Sequence, residues 1–415
     1  MSASDLSAFS AGDLRAQFHL PQGADGRELT YLCGHSLGAM PRQAHALLTE
    51  GMTQWAQRAV DGHFEGPKPW FYLGEDLREA MGHIVGAAAQ DVVLQGTLTN
   101  NLHLLLRSFY RPHGKRTRIL MEHSAFPSDR FCIRSHVASR GYDPDEHVLT
   151  VRGQGPYGVP TTEEILTTLD THGDEIATVL LPGVSYINGA VYDIASITQR
   201  AQAAGALVGW DLAHAVGNIE LSLQEHSVDF AAWCTYKYLN GGPGAIGGLF
   251  VHPRHTAEDA PTLPRYEGWW GNRAATRFTP NTDFEPAPGA AAWQLSNVPV
   301  FSLLPLYASL PLFQQVGMAR VAEQGRATHQ RLRTALQDRA LDITFLTPAD
   351  AHGTQLSIQI DGGADALQQT LQKEHGIVCD TRGDDMLRVA PVPLYNNDQD
   401  IQTFVDAFAS TLSAR

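Results

Sequence analysis

Through the middle of the chain, short unbroken apolar runs alternate with longer segments whose apolar residues recur three or four positions apart. DVVLQGT at 91–97 is followed by LTNNLHLLLRSFY, TRILMEHS by FPSDRFCIRSHVAS, and IATVLLPGVS by DIASITQRAQAAG. Runs without polar alternation fit strands covered on both faces, and the periodic segments fit the helices that cover them. The repeated order of strand and helix predicts a parallel, helix-covered sheet. Three more apolar runs crowd into the stretch from Gly205 to Val251: ALVGWD, VDFAAWC and GGLFV. From about residue 303 the pattern turns to long helical runs, then FLTPADAHGTQLSIQID, a helix near ADALQQTLQKEHG and a strand at GIVCDTR, which predicts a small α+β unit. Near the start, TYLCGHSLG leads into a helical run from Pro41 to Trp55, and GHFEGPKPWFYLGEDL at 62–77 reads as an aromatic loop.

Composition narrows the classes. A chain of 415 residues can bury one large core and a smaller one, and 43% hydrophobic with 18% charged residues describes an ordinary globular protein. The net charge of −14 argues against a nucleic-acid or anionic-membrane surface. Cys33, Cys132, Cys234 and Cys379 form no CxxC pair, so neither a metal site nor a disulfide framework is expected, and a reducing cytoplasm fits. The lead MSASDLSAFSAGDL shows no signal-peptide pattern. An uncharged stretch between Glu285 and Arg320 is broken by Pro299, Pro305 and Pro311, which argues against a membrane span.

Candidate chemistry gathers at the strand ends. Asp211 closes ALVGWD, and Lys237 stands just past VDFAAWC, with Tyr236 before it and glycines after it. Open α/β sheets bind ligands beyond the carboxyl ends of their strands. An aspartate and a lysine there suit pyridoxal phosphate, whose aldehyde bonds a lysine amine and whose ring nitrogen is held protonated by a carboxylate. Alone, the pair would read more readily as a strand-end aspartate and a surface lysine. The turn GTLT at 96–99 leads into a helix whose first amides, with the dipole behind them, make an anion site, so Leu98 and Thr99 become phosphate ligands. Simple capping by Thr97 or Thr99 remains open. Phe126, after the next strand, can lie flat on the pyridine ring or pack in the core. GPGAIG at 242–247 matches GxGxxG but runs into a strand, so it is no dinucleotide fingerprint; its glycines would let the backbone pass close to the lysine and cofactor.

The motifs YLCGHSLGAMP, LTNNLHLLL, FPSDRF, WDLAHAVGN, CTYKYLNGGPG, GWWGN, LSNVP and LRVAPVPLYN occur in one order almost end to end. With them the chain resembles the kynureninases, of the fold-type-I, aminotransferase class V group of pyridoxal-phosphate enzymes. The resemblance implies an α/β fold-type-I architecture divided into an N-terminal segment (1–55) packing on the small domain and active site, a large cofactor-binding domain (56–302) and a small C-terminal domain (303–415). It implies hydrolysis of L-kynurenine, and of 3-hydroxy-L-kynurenine, to anthranilate or 3-hydroxyanthranilate and L-alanine in tryptophan degradation. Lys237, Tyr236 and Asp211 take catalytic roles. Leu98, Thr99, Phe126, Asp129, Asp211, His214, Tyr236, Lys237, Trp269 and Asn297 hold the cofactor, while Ser36, His63, Asn297 and Arg388 bind substrate, Arg388 through the α-carboxylate. The resemblance further implies a homodimer whose two sites are completed across the junction by Trp269 and Asn297. His63 and Asn297 are similar to the pair in relatives acting on 3-hydroxykynurenine. The rival within this group is a cysteine desulfurase or selenocysteine lyase, which needs a nucleophilic cysteine on a mobile loop; Cys379, in GIVCD, reads instead as a buried strand residue.

Overall fold

The computed structural model describes residues 9–280 and 283–414, so the first eight residues of the lead, where no signal pattern is read, lie outside the described residues. Three two-residue strands open the chain, β1 (Phe18–His19), β2 (Thr30–Tyr31) and β3 (Met40–Pro41). Helix α1 (Arg42–Arg58) follows, then α2 (Arg78–Val85), β4 (Val92–Leu94), α3 (Leu98–Phe109), β5 (Arg118–Glu122), α4 (Pro127–Ser139) and a short α5 (Pro144–His147). The series continues with β6 (Val148–Val151), α6 (Thr162–His172), β7 (Ile176–Pro182), α7 (Ile194–Ala203), β8 (Leu207–Asp211), β9 (Phe230–Cys234) and β10 (Gly247–Val251).

These strands form one seven-stranded sheet in the order β4-β10-β9-β8-β7-β5-β6. Strands β5 to β9 run parallel, and only β10 is antiparallel to its neighbours β4 and β9. Both faces are buried, which is why the strands read as continuous apolar runs. Leu120, Val179, Leu181, Val208, Trp210 and Trp233 point into one core with α6 and α7. Met121, Leu180, Phe230, Ala232 and Leu249 point into the other with α3 and α4. The pair β6 and α6 was not foreseen from the sequence: VLTV is an edge strand with two half-buried residues and one exposed, so it carries no long apolar run to announce it. Helix α6 is instead marked by a capping box, Thr161 with Glu164.

Beyond α8 (Val300–Leu303), α9 (Leu306–Val316) and α10 (Met318–Gln337) lies a second, antiparallel sheet. Its strands are β11 (Thr344–Phe345) and β12 (Leu356–Gln359), then, after α11 (Ala364–His375) and a two-residue β13 (Ile377–Val378), β14 (Asp380–Arg382) and β15 (Met386–Val389), with α12 (Asp398–Ser413) closing the chain. A third core joins α10, α11 and α12 to this sheet. The segment GIVCDTR, expected as one strand, serves two partners. Ile377 and Val378 pair in parallel with Thr30 and Tyr31, whereas Asp380 to Arg382 pair with β15. The switch at Cys379 sets Asp380 opposite Arg388 in the register. Among the described residues, no helix is long and apolar enough to cross a membrane.

Candidate active site

The carboxyl ends of β7 and β8 lie level, with Pro182 paired to Asp211, and Asp211 in turn lies beside Ala232 of β9. Above them opens a cleft of about 710 Å³ including its mouth. Leu98, Thr99, Phe126, Asp129, Asp211, His214, Tyr236 and Lys237 all line it, together with Glu122, Tyr186 and Thr97.

Each side chain arrives for a local reason. Thr97 caps α3, its hydroxyl accepting from the Asn100 amide, so the amides of Leu98 and Thr99 belong to the helix's open first turn. Asp211 accepts the Ala213 amide at 2.8 Å, which fixes its carboxylate at the strand end. Phe126 is 46% exposed and meets Tyr186 edge-on at 5.2 Å, so it is a cleft wall and not core packing. Lys237 sits in the turn after β9, half-buried. The close approach to this turn comes from an unexpected quarter. A Cβ on Gly38 would lie 2.2 Å from the Lys237 carbonyl oxygen, and the Gly38 amide donates to the Tyr236 carbonyl at 2.8 Å. Gly242 and Gly244, credited in the sequence with that role, have open space around them; they are glycines because their φ values are 85° and 70°.

Acidic groups crowd the floor. Glu122, Asp129 and Asp211 are all buried. Burial and the neighbouring Asp211 carboxylate, with which it hydrogen-bonds, hold Asp129 well above the ordinary carboxylate range. Glu122 accepts the Tyr192 hydroxyl at 2.5 Å, and burial pushes it up to about 7. Its other oxygen has no partner, nor has Nδ1 of His214, whose imidazole is held neutral by burial and by Lys237. A flat cation with a phosphate at one end fits this set: carboxylates short of positive charge, unpartnered polar atoms and an open helix N-terminus.

The raised Glu122 has a measurable consequence in protein free of cofactor. Folded and unfolded forms ionise near pH 7 and 4.5 respectively, so between those values the folded form holds the extra proton and stability falls as pH rises, by roughly 3 kcal/mol in total. Thermal melts across that window should show the decline, and Glu122→Gln should flatten it; an equal slope in the variant would remove Glu122 as its source.

The remaining predicted residues stand apart from the cleft. Arg388 is fully buried: Nε and Nη2 donate to the two oxygens of Asp380, at 2.8 and 2.5 Å, and Nη1 donates to the Tyr186 carbonyl. The Ser36 hydroxyl donates to the same Asp380 at 2.7 Å, and His35 Nε2 lies 3.0 Å from it. Burial alone would raise Asp380, but His35 and Arg388 hold it far below the usual range. His63 packs its ring against the edge of Trp70 at 5.3 Å. Trp269 is 45% exposed, with its indole donating to Ser296, while Trp270 alone of the pair is buried. Asn297 is also exposed and accepts from Ser296. Glu122 and Tyr186 were missed in the sequence, although each sits at or just past a strand end, where the rule that found Asp211 could have found them.

Comparison with known proteins bears on this arrangement. A family model described as Aminotransferase class-V matches residues 70–394. A kynureninase of Xanthomonas oryzae pv. oryzae is 44% identical over 414 residues, covering 98% of this chain and 97% of that protein. A kynureninase of Myxococcus xanthus is 45% identical over 398 residues, covering 94% and 92%. Among solved structures, a C-DES variant with glycine covalently linked to its PLP cofactor superposes with a TM-score of 0.76 at 18% identity, over 95% of this chain and 98% of that one. A cysteine desulfurase from Thermococcus onnurineus gives 0.76 at 15% identity, over 97% and 98%; at such identities the likeness concerns the fold.

Proposed function

The chain belongs to the class-V aminotransferase family and, within it, to the kynureninases; it is a pyridoxal-phosphate-dependent hydrolase of kynurenine, and we propose that the cleft above β7, β8 and β9 carries the reaction. The observation that carries this reading is the meeting of Lys237, Asp211 and the open N-terminus of α3 in one cleft. When bound, pyridoxal phosphate supplies the electron sink that allows the substrate's Cα–H bond to break.

The chain's own groups do the rest. The amides of Leu98 and Thr99 would hold the cofactor's phosphate, and Phe126 would wall its ring. Asp211, fixed by the Ala213 amide and with Asp129 beside it, would keep the ring nitrogen protonated. Lys237 would hold the cofactor through its aldehyde and, with its amine free, is the group placed to carry the substrate's Cα proton as general base. Water adds to the γ-carbonyl, the Cβ–Cγ bond breaks, and anthranilate leaves. Burial pushes the Tyr236 hydroxyl up, so it stays protonated and can deliver a proton to the alanyl fragment. Arg388 has five N–H donors, of which three are engaged by Asp380 and Tyr186; the two left, one on each terminal nitrogen, suit the substrate's α-carboxylate.

The division at 1–55, 56–302 and 303–415 and a cytoplasmic location belong to the same proposal. So does a homodimer. Phe64, Tyr72, Trp269 and Phe278 are exposed and joined through ring contacts with Phe71 or each other, a patch of the kind a second copy covers. That copy would bring Trp269 and Asn297 to its neighbour's cleft. A desulfurase has less to stand on, because all four cysteines are buried. The test is to add L-kynurenine to cofactor-loaded protein and follow anthranilate fluorescence. Alanine and sulfide released from cysteine, with no anthranilate, would overturn the reading.

His63 and Asn297 lead us to expect turnover of 3-hydroxykynurenine as well. His63 can hydrogen-bond a ring hydroxyl, and Asn297 offers both a donor and an acceptor. A site built around a hydroxyl penalises its absence, whereas an apolar pocket rejects the hydroxyl by only about 100-fold. In His63→Trp/Asn297→Thr the ratio of kcat/KM values should move toward kynurenine by about tenfold or more. An unchanged ratio would sink the assignment.

A further inference from the structure

Two groups of described side chains bring three metal-type ligands together: Cys33, His35 and Asp380, and His103, Cys132 and His136. The first is already committed, because Asp380 is ion-paired to Arg388 and bonded to His35 and Ser36. The second lies between α3 and α4 with no role in the reaction above. We propose that His103, Cys132 and His136 form a site for a borderline-soft divalent cation of the zinc type, which clamps α3 to α4.

The placement follows from helix geometry. Cys132 and His136 are four residues apart on α4 and so share one face, and His103 meets them from α3. Their ligand atoms all lie within 4.8 Å of one another, and His103 Nδ1 is 3.1 Å from His136 Nε2. With metal bonds of about 2.05 Å to nitrogen and about 2.3 Å to sulfur, a tetrahedral ion needs edges of about 3.3 Å between nitrogens and about 3.6 Å between nitrogen and sulfur. The nitrogen pair is already near its edge, and the sulfur, within 4.8 Å of both nitrogens, has to close by no more than about 1.2 Å. Two imidazoles and a thiolate suit zinc and exclude the hard cations. Cys132 and His136 are buried while His103 is half-buried, so the ion would lie mostly away from water with its fourth ligand on the His103 side.

Protonation and charge fit with one cost. Burial keeps both imidazoles neutral and the Cys132 thiol protonated. The single proton between the two facing nitrogens moves to the far side of one ring. The thiol gives its proton to solvent as the sulfur–metal bond forms, so one proton leaves per ion. The guanidiniums of Arg107 and Arg140 act on His136 and oppose the ion. The consequence reaches the cleft. Helix α3 begins at Leu98 and Thr99, and α4 begins just past Phe126, so the clamp fixes the distance between the phosphate end and the ring wall.

Cofactor-loaded protein titrated with cobalt(II), then zinc(II), tests this. One equivalent of cobalt should give a sulfur-to-metal charge-transfer band, one proton should be released per ion, and the melting temperature should rise with metal concentration. Cys132→Ser should lose the band, and both it and His136→Gln should bind zinc at least about tenfold more weakly. Absence of the band at one equivalent, or its survival in Cys132→Ser, would overturn the site. Should Cys132→Ser not fold, X-ray absorption of the zinc-loaded wild type decides: one sulfur and two imidazole nitrogens support the site, and an all-oxygen shell removes it.

Discussion

Lys237→Ala should bind pyridoxal phosphate without a covalent bond and lose at least about 10³-fold in kcat, since it removes both the amine that bonds the aldehyde and the base that carries the proton. The chain makes the assignment easy to check because it has four lysines, Lys68, Lys115, Lys237 and Lys373. Lys115 is paired with Asp174 at the surface, and Lys68 lies over the Tyr307 ring. Lys373 is exposed on α11. Borohydride reduction of the loaded protein, followed by peptide mapping, should therefore find the cofactor's mass on Lys237 alone. A reduced adduct on any of the other three would overturn the central assignment. Loss of the covalent bond with turnover retained would separate binding from base catalysis.

Arg388→Lys should cost about 10- to 100-fold in kcat/KM, mostly through KM. The ammonium keeps the charge but cannot present two parallel donors, and a hydrogen bond to a charged group contributes about 1.5–3 kcal/mol. The structure adds a second arm to this experiment. Asp380 grips the guanidinium through Nε and Nη2, and is itself held by Ser36 and His35. Asp380→Asn should loosen that grip and raise KM while leaving kcat within about threefold, because Asp380 orients the arginine and touches no reacting atom. A loss under about threefold in Arg388→Lys would speak against it as carboxylate anchor. Because Arg388 is fully buried, the substrate can reach it only if the Ser36 turn or Tyr186 gives way.

What the sequence revealed followed from position along single strands. Asp211 and Lys237 end apolar runs, and Thr97 precedes an amphipathic helix, so the floor of the cleft could be read without knowing any pairing. Asp380 could not. It lies eight residues before Arg388, and only the strand switch at Cys379 and the register of β14 on β15 turn that spacing into a contact. Glu122 was hidden for a different reason, since a glutamate ending ILME announces neither its burial nor the Tyr192 hydroxyl that meets it. Strand β6 escaped because an edge strand needs no apolar run. His63, Trp269 and Asn297 are not brought to the cleft within one chain, and their place at it rests on the proposed dimer.

The contact between Gly38 and the Lys237 turn limits how far this protein can be shortened. The class-V match begins at residue 70 and ends at 394, so a fragment cut to those limits would keep every strand of the main sheet. It would lose the Gly38 amide on the Tyr236 carbonyl, the Ser36 hydroxyl on Asp380, the β2 partner of β13 and the whole of α12. Such a fragment should take up cofactor weakly and turn over no substrate, and supplying residues 1–69 as a separate peptide should not restore it while α12 is missing. In that sense the minimal catalytic unit is set by a glycine far from the lysine in sequence, and engineering by truncation has to start from the tertiary contacts at both chain ends.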